Sequence, residues 1–277
     1  MTVDGVGLTF ISLSIVPPKN GNPGKIINAT ENLKIVAQGK LPNLRIYSDN
    51  TGLKAEVLRK HREMVAFSQV LPALGDKKFA LPVALGADSQ GKPVVFDLAE
   101  APHLLIAGTT GSGKSVAAHA ILCSLLFTLP SKDLQLIVVD PKKVEMAVYK
   151  NAPQVTFLHR AEDVVEVLDN LVNQMEERNE KFEAVGARNL ASYNAKVAPD
   201  QRLPRIVCYV DETFDLFLGA ETSVEDKKEG KELRGRIENA LTRLAQKARS
   251  AGIHLALATQ KPTVEAVPSL LRGNLPS

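Results

Sequence analysis

Gly108, Gly113, Lys114 and Ser115 satisfy the spacing G-x-x-x-x-G-K-S, which suits the holding of a polyphosphate. Glycines let backbone N–H groups turn inward around phosphate oxygens. A helix beginning near Lys114 directs its positive dipole end at them, and the Lys114 ammonium adds a point charge at the β- and γ-phosphates. Ser115 is the expected ligand of a magnesium ion. The run Gly108, Thr109, Thr110, Gly111, Ser112, Gly113, Lys114, Ser115 and Val116 is therefore read as a nucleotide cradle. An apolar run, Leu104 to Ala107, precedes it and a helical segment follows, the strand–loop–helix setting in which this motif works.

A second chemical signal is the apolar run Ile206 to Val210, which delivers Asp211 and Glu212 at its C-terminal end, where open α/β sheets bind ligands. Asp211 is expected to orient the magnesium ion through its water shell. Glu212, one residue on, points differently and can accept a proton from an attacking water. A phosphoryl transferase has no need of that role, so the pair favours hydrolysis. Alone, Asp-Glu after a strand reads more often as a surface turn; the phosphate loop beside it reverses that in favour of chemistry. A third run, Ile253 to Ala258, ends in Thr259 and Gln260. Where such a strand lies between the loop strand and the Asp-Glu strand, its end faces the γ-phosphate. Gln260 is then a candidate sensor, the alternative being an amide that satisfies neighbouring backbone groups.

The elements that must position these groups are legible as a change of pattern. Residues 1 to about 70 alternate apolar runs (Leu8 to Val16, Leu33 to Val36, Leu44 to Tyr47) with turns such as Pro17 to Gly21, which predicts a small α/β module. Two apolar runs around Gly86 to Lys92 predict a hairpin leading into the main domain, so the boundary falls near 70 to 100 and the chain divides as 1–75 and 76–277. From His103 on, apolar strands alternate with helical stripes, which predicts a parallel-rich sheet flanked by helices. Val164, Leu168, Leu171 and Met175 form one stripe, and Leu233, Ile237, Leu241, Leu244 and Ala248 another, with Gly252 as terminator. Glu221 to Arg236, dense in both charges, is expected to be a solvated loop and first helical turns.

Composition narrows the classes. With 277 residues, 44% hydrophobic, the chain can bury one large core and a smaller one. No apolar stretch reaches the ~18 residues of a membrane span, and the N-terminus lacks the features of a secretory signal, so the expectation is a soluble, cytosolic protein. Cys123 and Cys208 both fall in apolar segments and are expected to be buried thiols. A net charge of +3 is too weak to announce a nucleic-acid partner, so any such contact is local. The absence of tryptophan and 5% aromatics leave few platforms for unpaired bases and favour a duplex backbone.

Together the segments APHLLIAGTTGSGKSV (101–116), VVDPKKVEM (138–146), ARNLASYNAKV (187–197), CYVDET (208–213) and RLAQKARSAGIHLALATQKPTVEAVPSLLRGNLPS (243–277) resemble the motor domain of the FtsK/SpoIIIE family of DNA translocases, within the FtsK–HerA group of ring-forming ATPases. The resemblance implies a RecA-like P-loop NTPase core, ATP with Mg2+ as cofactors, a homo-oligomer in the form of a hexameric ring, and double-stranded DNA threaded through its channel. It also implies that the first part of the chain is the small domain that precedes the motor. Arg249, in KARSAGIH, matches the place of the family's arginine finger. It is expected at the N-terminal edge of the sheet, too far from its own ATP and so acting on a neighbour's, with the capping of a helix C-terminus as the alternative.

Three departures stand out. Thr213-Phe214-Asp215 follows the Asp-Glu pair where the family has an aromatic and then small residues. Lys261 replaces the usual arginine after Thr259-Gln260. The family core continues with further strands beyond the position of Ser277, and the membrane-spanning and winged-helix regions of full-length members have no counterpart in these residues, so membrane association is expected only through regions outside them. Lys142, Lys143 and Lys261, each after a strand end, are candidate DNA contacts, with solvated loop residues as the alternative. The other functional readings are a related motor for conjugation or type VII protein secretion, and a nucleotide-binding module without motor activity.

Overall fold

The computed structural model describes residues 2–7, 10–37, 40–41, 43–59, 64–75, 79–88 and 90–275. Leu8 and Ser277, which bound two of the runs quoted above, lie outside the described residues, as do 76–78 beside the expected domain boundary. The chain forms two compact units, residues 1–76 with 84–95, and residues 77–83 with 96–277.

The first unit is built on strands β1 (Thr2–Val6), β2 (Phe10–Ile15), β3 (Arg45–Asp49) and β4 (Gly52–Leu58), antiparallel in the order β1-β2-β4-β3. Helices α1 (Pro23–Asn28) and α2 (Thr30–Val36) lie between β2 and β3, and α3 (Phe67–Val70) follows β4. Along β4, Leu53, Ala55 and Val57 turn to an apolar cluster with Leu44 and Ile46. Lys54, on the other face, pairs with Asp4 at 2.5 Å. This is the period of two expected of a half-buried antiparallel strand. The unit is thus α/β, as expected.

A hairpin of β5 (Pro82–Ala87) and β6 (Pro93–Asp97) comes next. Its base carries Leu81, Val83 and Leu98 into the core of the second unit, while Ala84, Ala87 and Val95 cluster with Val70 and Leu74 of the first.

The second unit holds five parallel strands, β7 (His103–Ala107), β8 (Leu134–Val139), β9 (Val155–Leu158), β10 (Arg205–Val210) and β11 (Ile253–Thr259), in the order β7-β11-β10-β8-β9. Helices α4 (Lys114–Thr128), α5 (Ala161–Ala184), α6 (Leu190–Asn194), α7 (Thr213–Thr222), α8 (Lys227–Lys247) and α9 (Ser269–Arg272) connect and cover them. Alternate residues serve two cores. Ile206, Cys208, Val210, Ile253, Leu255 and Leu257 pack with the stripes of α5, α7 and α8. Val207, Tyr209, Ala256 and Ala258 pack with Ala118, Ile121, Leu122 and Leu125 of α4. A strand buried on both faces favours apolar residues on both, which is why these runs are nearly continuous, His254 of β11 being a buried exception. Both helical stripes face the core as expected, and only residues 223–226 separate α7 from α8 within the charged segment. Cys208 is buried, but Cys123 is only half-buried, its thiol 3.4 Å from the Tyr149 hydroxyl.

Candidate nucleotide site

The phosphate loop runs from the end of β7 into the start of α4. Its first residue is anchored to the neighbouring strand by the Gly108 N–H, which donates to the Thr259 carbonyl at 3.2 Å. The loop folds so tightly that a Cβ on Gly108 would overlap the Ser112 hydroxyl, and Gly111 and Gly113 lie at φ +79° and +96°, where side chains are strained. Gly113 caps α4, so the helix's free N–H groups open towards the loop. A cavity of about 260 Å³ lies here, lined by Thr109, Thr110, Gly111, Gly113, Lys114, Ser115, Val116, Glu145 and Gln260. Loop glycines, an open helix terminus and a cation form a donor set that fits a nucleotide polyphosphate.

The carboxylates stand one strand beyond β11. Lys114 and Asp211 form a buried ion pair at 2.8 Å, their side chains 6% and 10% exposed. The Tyr209 hydroxyl donates to the same Asp211 oxygen at 2.9 Å; burial first, then the Asp211 charge, raises the pKa of that phenol. Glu212 occupies the left-handed region at φ +62°, an unusual conformation for a residue with a side chain. Its carboxylate accepts from the Thr259 hydroxyl and from the Gln260 N–H, both at 2.8 Å, while the Gln260 side-chain oxygen accepts from the Thr110 hydroxyl at 3.1 Å. Gln260 thus bridges the phosphate loop and Glu212. The arrangement follows from strand order, since β11 lies between β7 and β10 and its end reaches both neighbours.

The structure therefore brings together the loop residues Gly108 to Val116, Asp211, Glu212 and Gln260. Lys142 and Lys261 sit nearby, each against the first turn of α7. Lys142 pairs with Asp215 at 2.7 Å, an interaction that raises the pKa of its ammonium, and Lys261 lies over the Phe214 ring at 5.6 Å. Lys143 sits at φ +57° in the loop after β8. Arg249 stands apart, exposed in the turn one residue beyond the helix cap Ala248 and before β11, rather than within the last helical turn. By the rise of a strand, β11 puts roughly 20 Å between it and Thr259.

Sequence reasoning assigned nothing to Asp140, Glu145 or Thr259. Asp140 ends β8 much as Asp211 ends β10, and that parallel was a usable signal. It is 1% exposed, and it accepts from the backbone N–H groups of Lys142 at 3.1 Å and of Lys143 and Met146 at 3.0 Å. Glu145 reaches the cavity only through the loop so folded, and no local pattern announces it.

A parallel sheet with an extra strand between the loop strand and the carboxylate strand defines the class: a P-loop nucleotide hydrolase fold. Comparison with known proteins gives the particular family. The FtsK/SpoIIIE family matches residues 72–264, and the chain belongs to it. It is 39% identical over 255 residues to DNA translocase FtsK 2 of Neisseria meningitidis, covering 82% of this chain and 24% of that protein. It is 34% identical over 308 residues to DNA translocase FtsK of Pseudomonas putida, covering 100% and 35%. The chain thus spans about a quarter to a third of the length of these relatives. Among solved structures, the pCW3 conjugation coupling protein TcpA, in its monomer form with ATPgS, superposes with a TM-score of 0.65 at 22% identity, covering 100% of this chain and 74% of that one. EccC of Thermomonospora curvata (ATPases 2 and 3) gives 0.57 at 20%, covering 71% and 35%. These likenesses concern the fold. Among the described residues no helix is long and apolar enough to cross a membrane.

Proposed function

We propose that this chain is the ATP-hydrolysing motor segment of a double-stranded DNA translocase, working as a hexameric ring on the cytoplasmic side. The observation that carries the reading is Glu212, a buried carboxylate fixed by Thr259 and Gln260 beside the phosphate loop. A carboxylate there can take the proton of an attacking water, which separates hydrolysis from phosphoryl transfer. Ser115 and Asp211 would hold a magnesium ion, which neutralises phosphate charge when bound. Lys114 exchanges Asp211 for phosphate oxygens, and Gln260, already in contact with Thr110, senses the terminal phosphate. Arg249, remote from its own loop, serves the nucleotide of the next subunit. The names of the curated relatives supply DNA as the substrate.

The test is ATPase activity against duplex length, with particle size measured in parallel. Activity should rise with duplex length, respond more to duplex than to single strands, and coincide with ring-sized particles. Each phosphate neutralised should add about 0.9 to the log–log slope of affinity against salt. Equal stimulation by single strands, or ATP binding without turnover at any protein concentration, overturns the proposal.

A further inference from the structure

The motor unit has a second charged site, at the edge of the sheet opposite the phosphate loop. There a cavity of about 410 Å³ opens between the turn after α8 and the loop before α6, and Arg188, Arg205 and Arg249 line it. No carboxylate is among its described lining residues. The walls are fixed. The Leu190 N–H donates to the Ser250 carbonyl at 2.9 Å, Gly252 packs so closely on Leu190 that a Cβ would overlap it, and Asn189 and Ser192 close a capping box over the start of α6. These contacts hold the loop bearing Arg188 against the turn bearing Arg249.

Among the described residues the cations here outnumber the carboxylates near them, Asp97 being the one that acts on Arg205. Arg205 opens β10, half-buried, and among the described residues its guanidinium has one hydrogen-bond partner, the His254 imidazole at 3.4 Å. Burial lowers its pKa, and the Asp97 charge opposes that shift in part. Arg178, 4% exposed, adds a further positive charge at this edge, donating to the carbonyls of Pro204 at 2.9 Å and Ala251 at 2.8 Å. His103 completes the picture. It accepts the Leu255 N–H at Nδ1, so its proton sits on Nε2, a buried donor that finds no partner among the described residues. Burial, with the Arg249 charge as the lesser cause, lowers this imidazole to about 4 and keeps it neutral. A guanidinium that gives up water without gaining an anion is costly. Arg205 bears that cost in part, and its convergence with the exposed Arg188 and Arg249 on one walled cavity without a carboxylate among its described lining marks a place where an anion belongs.

In a head-to-tail ring each copy presents one face to a different face of the next, so a surface rich in phosphate can meet this cationic one. We infer that Arg188 and Arg205 join Arg249 in one anion site that receives the terminal phosphate of a nucleotide bound by a second copy of this chain. The inference rests on the ring assembly proposed above and adds two residues to the trans contact.

The test uses the whole chain. Arg188→Ala and Arg205→Gln should each lower duplex-stimulated turnover at least 10-fold, while titration of unassembled protein with a fluorescent ATP analogue shows affinity within 2-fold of wild type. Mixed with Lys114→Ala subunits, each should regain activity, because some interfaces then pair an intact loop with an intact arginine. Arg188 is exposed, so its substitution should leave the thermal midpoint unchanged, and Arg205→Lys retains the charge and should restore part of the turnover if Arg205→Gln loses it. Arg249→Ala mixed with Lys114→Ala is the control for the assembly itself. If that mixture stays inactive, or no ring forms, the ring reading fails. If it recovers while Arg188→Ala and Arg205→Gln turn over like wild type, this inference alone falls. It is likewise overturned if the variants keep DNA-independent ATPase but each reduce the salt slope of duplex binding by about 1, because the phosphate then belongs to DNA.

Discussion

Replacing Asp140 with alanine removes the acceptor of three backbone N–H groups at once. The Met146 donor is buried, so losing its partner costs about 1–3 kcal/mol. The Lys142 and Lys143 donors are part-buried and can recruit water, which limits each to about 0.5–1.5 kcal/mol. Lys143, at positive φ, loses one of two acceptors, because its N–H also donates to the Asp140 carbonyl at 3.1 Å. About 2–6 kcal/mol in total is expected, or roughly 4–24 °C in the thermal midpoint for a unit of this size. Asp140→Asn keeps an oxygen for Lys142 and Lys143 but turns an amide donor towards Met146, so about 1–2 kcal/mol and a shift of roughly 2–8 °C follow. The order alanine, asparagine, wild type should appear in thermal unfolding followed by circular dichroism. Turnover should fall in the same order, because the loop carries Glu145 to the nucleotide cavity and Lys142 to Asp215. A midpoint for Asp140→Ala within 2 °C of wild type would refute the reasoning.

Glu212→Gln should bind nucleotide normally while turning over about 100-fold more slowly or worse, measured by calorimetry and phosphate release; loss of binding would make Glu212 structural. Lys114→Ala should abolish nucleotide binding, and because it strands Asp211 without its ion-pair partner it should also lower stability, by about 3–5 kcal/mol in denaturant titration. His103 and His254, held neutral chiefly by burial with pKa values of about 4 and about 3, bind protons more readily unfolded than folded. Their contribution is complete above the unfolded value near 6.5 and is lost as pH falls towards the folded values, by about 1.4 kcal/mol per pH unit for each histidine. Stability should therefore already decline between pH 6.5 and 5, and a flat profile there would contradict the assignment.

The core strands were legible because burial on both faces leaves a nearly unbroken apolar run, as in Ile206 to Val210 and, apart from His254, Ile253 to Ala258. The phosphate loop was legible because its chemistry is local, within nine residues of chain from Gly108 to Val116. Strands β1 and β4 were less so. β1 contains Asp4 and Gly5, which read as a turn, and β4 signals only through the alternation of Leu53, Ala55 and Val57 with Lys54 and Glu56. Asp140 had a positional signal in its parallel with Asp211, but its role was illegible because its partners are backbone groups. The arginine cavity was illegible for a related reason. Arg188, Arg205 and Arg249 come from three separate segments, brought together by contacts such as the packing of Leu190 against Gly252 and the Leu190–Ser250 hydrogen bond.

Strand β11 follows the other four described strands of its sheet in sequence yet lies between β7 and β10, so a gap inside the sheet is filled after the strands that flank it. His103 meets Leu255 across 152 residues, and the phosphate loop is tied to Thr259 over nearly the same span. During synthesis the strand that leads into the loop must wait, unpaired on this side, until β11 arrives to fill the gap. Nucleotide affinity therefore arises late. A nascent chain that has not yet delivered β11 lacks both the anchor of Gly108 and the restraint on Glu212, so ATP is neither well held nor spent before β11 is in place.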